Sequence, residues 1–211
     1  MRAPAGVSTS LKTTGALALL LAGCAPQTPE QRFERWRGEG RQAQVRAYSD
    51  YLARHGVAAV APLSQQLRSG RNWRWCGADE FALPPRASWP RSVATLRLLA
   101  ELRAAGLIDG ARIVSGYRAP DFNRCEGGSR QSRHMAGGAY DLELAADTDG
   151  AKLCAFWRRR GAATGFGLGF YDRRRLHVDT AGMRTWGGDY SRKTSPCLQR
   201  PPVGAAAAAA L

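Results

Sequence analysis

The chain has 211 residues, of which 44% are hydrophobic and 23% charged. This ordinary composition fits one globular domain with terminal extras and sets aside the disordered and fibrous classes. The formal charge is +14, a balance that suggests an anionic partner.

Residues 1–23 differ from the rest. Arg2 and Lys12 are their only charges, and an apolar run from Ala16 to Leu21 leads into Ala22-Gly23-Cys24. This is the pattern of an export leader, with a basic start, a short apolar stretch and small residues at a cut site. The run is too short for a permanent membrane-spanning helix. Leu21-Ala22-Gly23-Cys24 resembles the bacterial lipobox. That resemblance implies cleavage before Cys24 and lipidation of Cys24, so that the N-terminal lipid anchors the protein to a membrane. Ala25 after the cysteine resembles the outer-membrane pattern, so the expected location is the periplasmic side of the outer membrane. Without Arg2 and Lys12 the mature charge is +12. Export sets nucleic acid aside as a partner and favours peptidoglycan stem peptides, teichoic acids or anionic lipids. Nothing in the sequence sets an oligomeric state.

Residues 24–40 read as a tether from the lipid, since Pro26 and Pro29 discourage helix. Residues 41–90 form a helical and aromatic N-terminal part. Two helical pieces carry Val45, Tyr48, Leu52, Val57, Val60, Leu63 and Leu67, and the aromatic segment Asn72–Cys76 and a turn-rich stretch to Pro90 follow. Residues 91–190 are the expected core. Ser92 reads as the cap of a helix bearing Val93, Leu96, Leu99 and Leu102. Residues 112–115 predict a strand, 116–133 a loop, 139–144 a strand, and 151–160 a helix ended by Gly161. Gly167–Tyr171 and Arg175–Thr180 predict two strands joined by a tight turn at 172–174. Residues 191–211 are a tail, with a low-complexity stretch after Pro201 expected to be disordered. Helices followed by short, hairpin-like strands predict an α+β fold, a small antiparallel sheet flanked by helices.

Removing Cys24 leaves Cys76, Cys125, Cys154 and Cys197. An even number in an exported chain predicts two disulfides with three possible connectivities. The pairing preferred here is Cys76–Cys125 with Cys154–Cys197, and no CxxC-type spacing supports a structural zinc cluster.

Two of the three histidines have distinctive settings. One is Ser132-Arg133-His134-Met135-Ala136-Gly137-Gly138-Ala139-Tyr140-Asp141; the other is Leu176-His177-Val178-Asp179. His134, Asp141 and His177 offer two neutral nitrogens and one anionic oxygen, the donor set of a catalytic zinc that keeps a position open. Gly137 and Gly138 let a loop histidine turn back toward a strand aspartate. The glycine run 165–169 is not a dinucleotide loop, because no helix follows it. The arginine run 173–175 lies beside His177, where it could attract stem-peptide carboxylates.

The Ser-x-His-x-x-Gly-x-Ala-x-Asp pattern at 132–141 and His177-x-Asp179 resemble the zinc D-Ala-D-Ala peptidases, a family whose metal-binding fold is shared with hedgehog. Ser115-Gly116-Tyr117-Arg118 matches that family's Ser-Gly-Tyr-Arg segment. Gly167–Tyr171, His177–Thr180 and Arg184-Thr185-Trp186 are most similar to its peptidoglycan endopeptidase branch. The resemblance covers about residues 90–190. It implies Zn2+ on His134, Asp141 and His177, substrate or transition-state contact by Arg118, and orientation of the first histidine's loop by Ser132, counted here with the substrate-binding residues. The implied activity is hydrolysis of peptidoglycan peptide bonds, as a carboxypeptidase or endopeptidase. Many relatives carry a catalytic Glu or His just before the second histidine, where this chain has Arg174 and Arg175. Asp179 is therefore the first candidate for the base, ahead of Glu143 and Asp172; its alternative role is to accept the other ring N–H of a ligand histidine. A chain lacking any base would be a non-catalytic, zinc-containing, peptidoglycan-binding lipoprotein. A structural lipoprotein with no metal is the third alternative.

Overall fold

The computed structural model describes residues 26–199. Cys24 and the low-complexity tail lie outside them. Six α-helices surround a five-stranded sheet, an α+β arrangement. The sheet contains β1 (Arg112–Ser115), β2 (Ala139–Glu143), β3 (Gly167–Phe170), β4 (Arg175–Asp179) and β5 (Arg184–Trp186), in the order β1-β2-β4-β3-β5. Its pairings are antiparallel except β3 with β5, which is parallel. The sheet is therefore mixed, not purely antiparallel.

One face of β2 and β4 carries Tyr140, Leu142, Leu176 and Val178, all in the core. Helix α4 (Trp89–Ala104) completes that core with Val93, Leu96, Leu99 and Leu102. Each such side chain contributes about 1.5–3 kcal/mol by leaving water. Helix α4 starts before Ser92, with Pro90 in its first turn, so Ser92 is not the cap. Its hydroxyl instead donates to the Gly137 carbonyl at 2.7 Å, and Thr95 donates to Gly138 at 2.8 Å.

The expected tether contains a helix, α1 (Pro29–Gly38). Pro29 begins it rather than breaking it, because a first-turn residue needs no backbone N–H partner. Thr28 and Gln31 satisfy each other's free N–H groups in a capping box. Phe33 and Trp36 of α1 are buried against Phe81. Arg32 and Arg68 both bind the buried carboxylate of Glu80. Helix α2 (Gln42–Arg54) and the short α3 (Leu63–Gln66) follow, so residues 29–67 share one hydrophobic core with the sheet.

The same proline rule explains α5 (Pro120–Cys125) inside the expected loop: Pro120 occupies its first turn. Helix α6 (Gly150–Thr164) runs through Gly161 and ends at Gly165, whose φ of +65° gives it a left-handed cap. The expected tail opens with two 3-10 turns, Arg192–Thr194 and Pro196–Leu198. The disulfides are Cys76–Cys125 and Cys154–Cys197, and the second holds this segment to α6. No described helix is long and apolar enough to cross a membrane.

Candidate metal centre

In the β2–β4 register, Asp141 lies opposite His177. Both project from the sheet face opposite Leu142 and Leu176, as strand alternation requires. His134 arrives from the loop before β2. That loop turns at Gly137, where φ is +67°, and the α4 hydroxyls of Ser92 and Thr95 hold the turn. His134 Nε2, His177 Nδ1 and Asp141 Oδ1 then converge, each 3.1 Å from the other two.

The backs of the two rings set their tautomers. His134 Nδ1 lies 2.7 Å from the Gly116 carbonyl, and His177 Nε2 lies 2.8 Å from Asp179 Oδ2. Both partners are acceptors, so both of these nitrogens carry the hydrogen when the rings are neutral. The inward nitrogens then present lone pairs toward a carboxylate oxygen. Three electron-pair donors facing one another suit a cation. Tetrahedral zinc with bonds of about 2.0–2.1 Å separates its ligands by roughly 3.3–3.4 Å, close to the 3.1 Å edges seen here.

The surrounding electrostatics fit this role. Burial holds the His134 pKa below the ordinary value, favouring the neutral ligand form. Burial pushes Asp141 up, but His134, His177 and Arg118 outweigh it and hold the carboxyl well below the usual range. His177 is raised, because its bonds to Asp141 and Asp179 overcome the effect of burial.

Residues 77–179 match the family model for peptidase M15, a span that contains His134, Asp141 and His177, which together could hold a metal ion, and ends on Asp179. That segment, just under half of the chain, is of the peptidase M15 type. This is a metallopeptidase family whose members depend on zinc. No curated protein matches the chain. The two disulfides of the chain point to an extracellular or periplasmic setting.

The other expected site residues occupy different positions around the centre. Asp179 is fully buried and lies on the far side of the His177 ring from the ligand triangle. Its oxygens accept from His177, Arg184 and the Ala181 N–H. Of the two roles expected for Asp179, this geometry suits the one that holds the His177 ring from behind. Glu143 pairs with Arg112, and Asp172 binds Arg175 and the Arg174 N–H within its turn. Arg118 is buried, donating to Ser115 Oγ at 2.9 Å and to Asp141 Oδ2. The Ser132 hydroxyl accepts from the His134 N–H at 3.3 Å.

Tyr171 is the site residue that the sequence reading passed over. Its hydroxyl donates to Asp141 Oδ1 at 2.9 Å, and burial followed by the Asp141 charge raises its pKa, so it stays protonated. The only sequence signal was its place at the end of the Gly167–Tyr171 segment. Trp186 packs edge-on to Tyr171, with 5.0 Å between ring centroids. It has room because β3 carries glycines: a Cβ on Gly169 would lie 1.9 Å from the indole, and one on Gly167 2.6 Å from Asp179. The centre opens into a cleft of about 790 Å³ whose walls include Arg71, Arg118, Arg133, Arg175 and Arg184.

Proposed function

We propose that the protein is a zinc-dependent hydrolase of peptidoglycan peptide bonds, a D,D- or L,D-endopeptidase or carboxypeptidase, anchored to the envelope through lipid on Cys24. The observation that carries this reading is the triangle of His134, Asp141 and His177 lone pairs at the floor of an arginine-lined cleft. Stem peptides are anionic chains, and a cleft of this charge attracts and retains them. The disulfides fit a substrate met outside the cytoplasm.

Bound at this centre, zinc supplies Lewis acidity, activating water and polarising a peptide carbonyl. The protein's own groups divide the remaining work. Gly116 and Asp179 fix the two imidazole rings from behind. Arg118 and Tyr171 each bond the Asp141 carboxylate and hold its orientation. The Arg118 guanidinium also lines the cleft, where a permanent charge stabilises a developing oxyanion. Tyr171 keeps its proton and presents a hydroxyl beside the same centre.

The decisive experiment is digestion of purified sacculi by zinc-loaded protein, with and without a chelator, followed by analysis of the released muropeptides. Chelator-sensitive release of a defined product supports the reading and identifies the bond. A specific observation favours a second reading, a non-catalytic zinc-containing peptidoglycan binder. Arginines occupy positions 174 and 175, and the nearest other acid, Asp179, is turned away from the cleft. Zinc-loaded protein that binds sacculi but releases nothing selects that reading.

A further inference from the structure

We infer that the turn formed by residues 71–78 is a platform for the glycan strand of peptidoglycan; this rests on the peptidoglycan reading above. The turn joins two paired segments. At its base, Arg68 bridges Phe81, and the Ser69 N–H donates to the Glu80 carbonyl. Within it, the Cys76 N–H donates to the Asn72 carbonyl at 2.9 Å and the Ala78 N–H to Trp73 at 2.9 Å. The Asn72 N–H donates to Glu126 Oε1, and Cys76 is bonded to Cys125. The segment is thus held from inside, from its base and from a neighbouring helix.

This rigid turn displays Trp75 with 81% of its surface exposed. Beside it, the Arg74 guanidinium stacks over Trp73 at 4.8 Å. Neither Arg71 nor Arg74 has a carboxylate partner among the described residues. The turn also adjoins the metal centre. Arg71 and Asn72 line the cleft, as do Glu126, Gly127 and Gly128, which follow Cys125 directly. The disulfide therefore ties an exposed indole to two stretches of cleft wall.

Holding an aromatic ring ready in water lowers the ordering cost of binding. The matching ligand has a flat, apolar C–H face and hydroxyl edges, which describes a pyranose ring. A stem peptide seated in the cleft is covalently joined to a strand of such rings, and that strand must pass over the cleft mouth. Arg71, in the cleft wall at the start of this turn, is placed to meet carboxylates of the stem peptide.

The test compares wild type, Trp75→Ala and Trp75→Phe as full-length, zinc-loaded proteins. Trp75 is so exposed that truncation leaves the core intact. Affinity for peptide-free glycan strands should fall about tenfold in Trp75→Ala, as expected for losing one rigid aromatic anchor. Trp75→Phe should keep most of the affinity. Release from sacculi should slow along with glycan affinity, while kcat/KM on a soluble stem tetrapeptide stays unchanged. The inference is overturned if wild type does not bind glycan, or if Trp75→Ala binds it equally well. Equal loss on the soluble peptide also overturns it, as does a defect seen only with anionic phosphatidylglycerol vesicles. Should wild type cleave neither sacculi nor peptide, the peptidase reading fails, and the glycan titration alone decides this inference.

Discussion

Asp141 and His177 face each other across β2 and β4 as a cross-strand pair, and His134 closes their triangle from a loop. Because two of three ligands are fixed by sheet register, the centre is largely assembled before metal arrives. The protein should bind one zinc per chain. His134→Ala and His177→Ala should each lose tight binding while keeping native secondary structure, measured by metal analysis after dialysis and by circular dichroism. Full occupancy in both variants rules this centre out.

If Asp179 acts through the His177 ring it contacts, its removal should show in zinc affinity before it shows in turnover. Asp179→Asn should weaken zinc binding about 10–100-fold, and saturating zinc should restore most of the rate. A loss of roughly 10²–10⁴-fold in kcat at full zinc occupancy would return the general-base role to Asp179. Titration with a competing chelator separates the two outcomes.

The acid limb of stability should also report on this carboxylate. Burial raises the Asp179 pKa, but its bonds to His177, Ala181 and Arg184 outweigh burial and leave it lowered. A carboxyl lowered in the folded state adds stability above its unfolded pKa of about 3.9, and that stability disappears as pH falls through the folded value. In zinc-free protein, Asp179→Asn should flatten the loss of stability below about pH 4 by up to 1.4 kcal/mol per pH unit. His177 works in the opposite sense, since its raised pKa stabilises the zinc-free fold only at pH values below it. Zinc must displace that proton, so zinc affinity should climb with pH through the histidine range, with proton release detectable by calorimetry in different buffers.

Helix α1 depends on Glu80, which two guanidiniums share. Glu80→Gln should cost about 2–3 kcal/mol, less than the 3–5 of a fully buried pair because both arginines keep some solvent contact. Urea unfolding should show that loss with an unchanged slope. Arg32→Ala, which removes only the α1 side of this cluster, should cost part of that loss; if α1 were only a tether, it would cost nothing.

The chemistry of the site was more legible in the sequence than its support. Histidine and aspartate at 134, 141 and 177 stand out because metal ligation restricts residue type and because strand alternation puts Asp141 and His177 on one side. The prolines misled. Pro29 read as discouraging helix and Pro120 fell in an expected loop, yet each begins a helix, a distinction that depends on where the first turn falls. Ser92 read as a cap because a serine before an apolar run resembles one; its true partner, the Gly137 carbonyl, lies 45 residues away in sequence. Asp179 shares a strand with His177, but sequence spacing does not tell which side of the imidazole it meets. Tyr171 ended a segment that carried the resemblance, but nothing there marked its role, which comes from a contact with Asp141 across the sheet.

The glycines of β3 have an evolutionary consequence. Gly167 and Gly169 leave the strand bare where Asp179 and Trp186 press against it, so almost any side chain added there displaces a ligand's support or the cleft wall. A saturation library should find both positions nearly closed to change. The exposed stretch from Ser129 to Gln131, which borders the same cleft from a loop, should accept many replacements. Descendants of this chain can therefore acquire new preferences by remodelling the loop side of the cleft, while the strand side passes unaltered from one to the next.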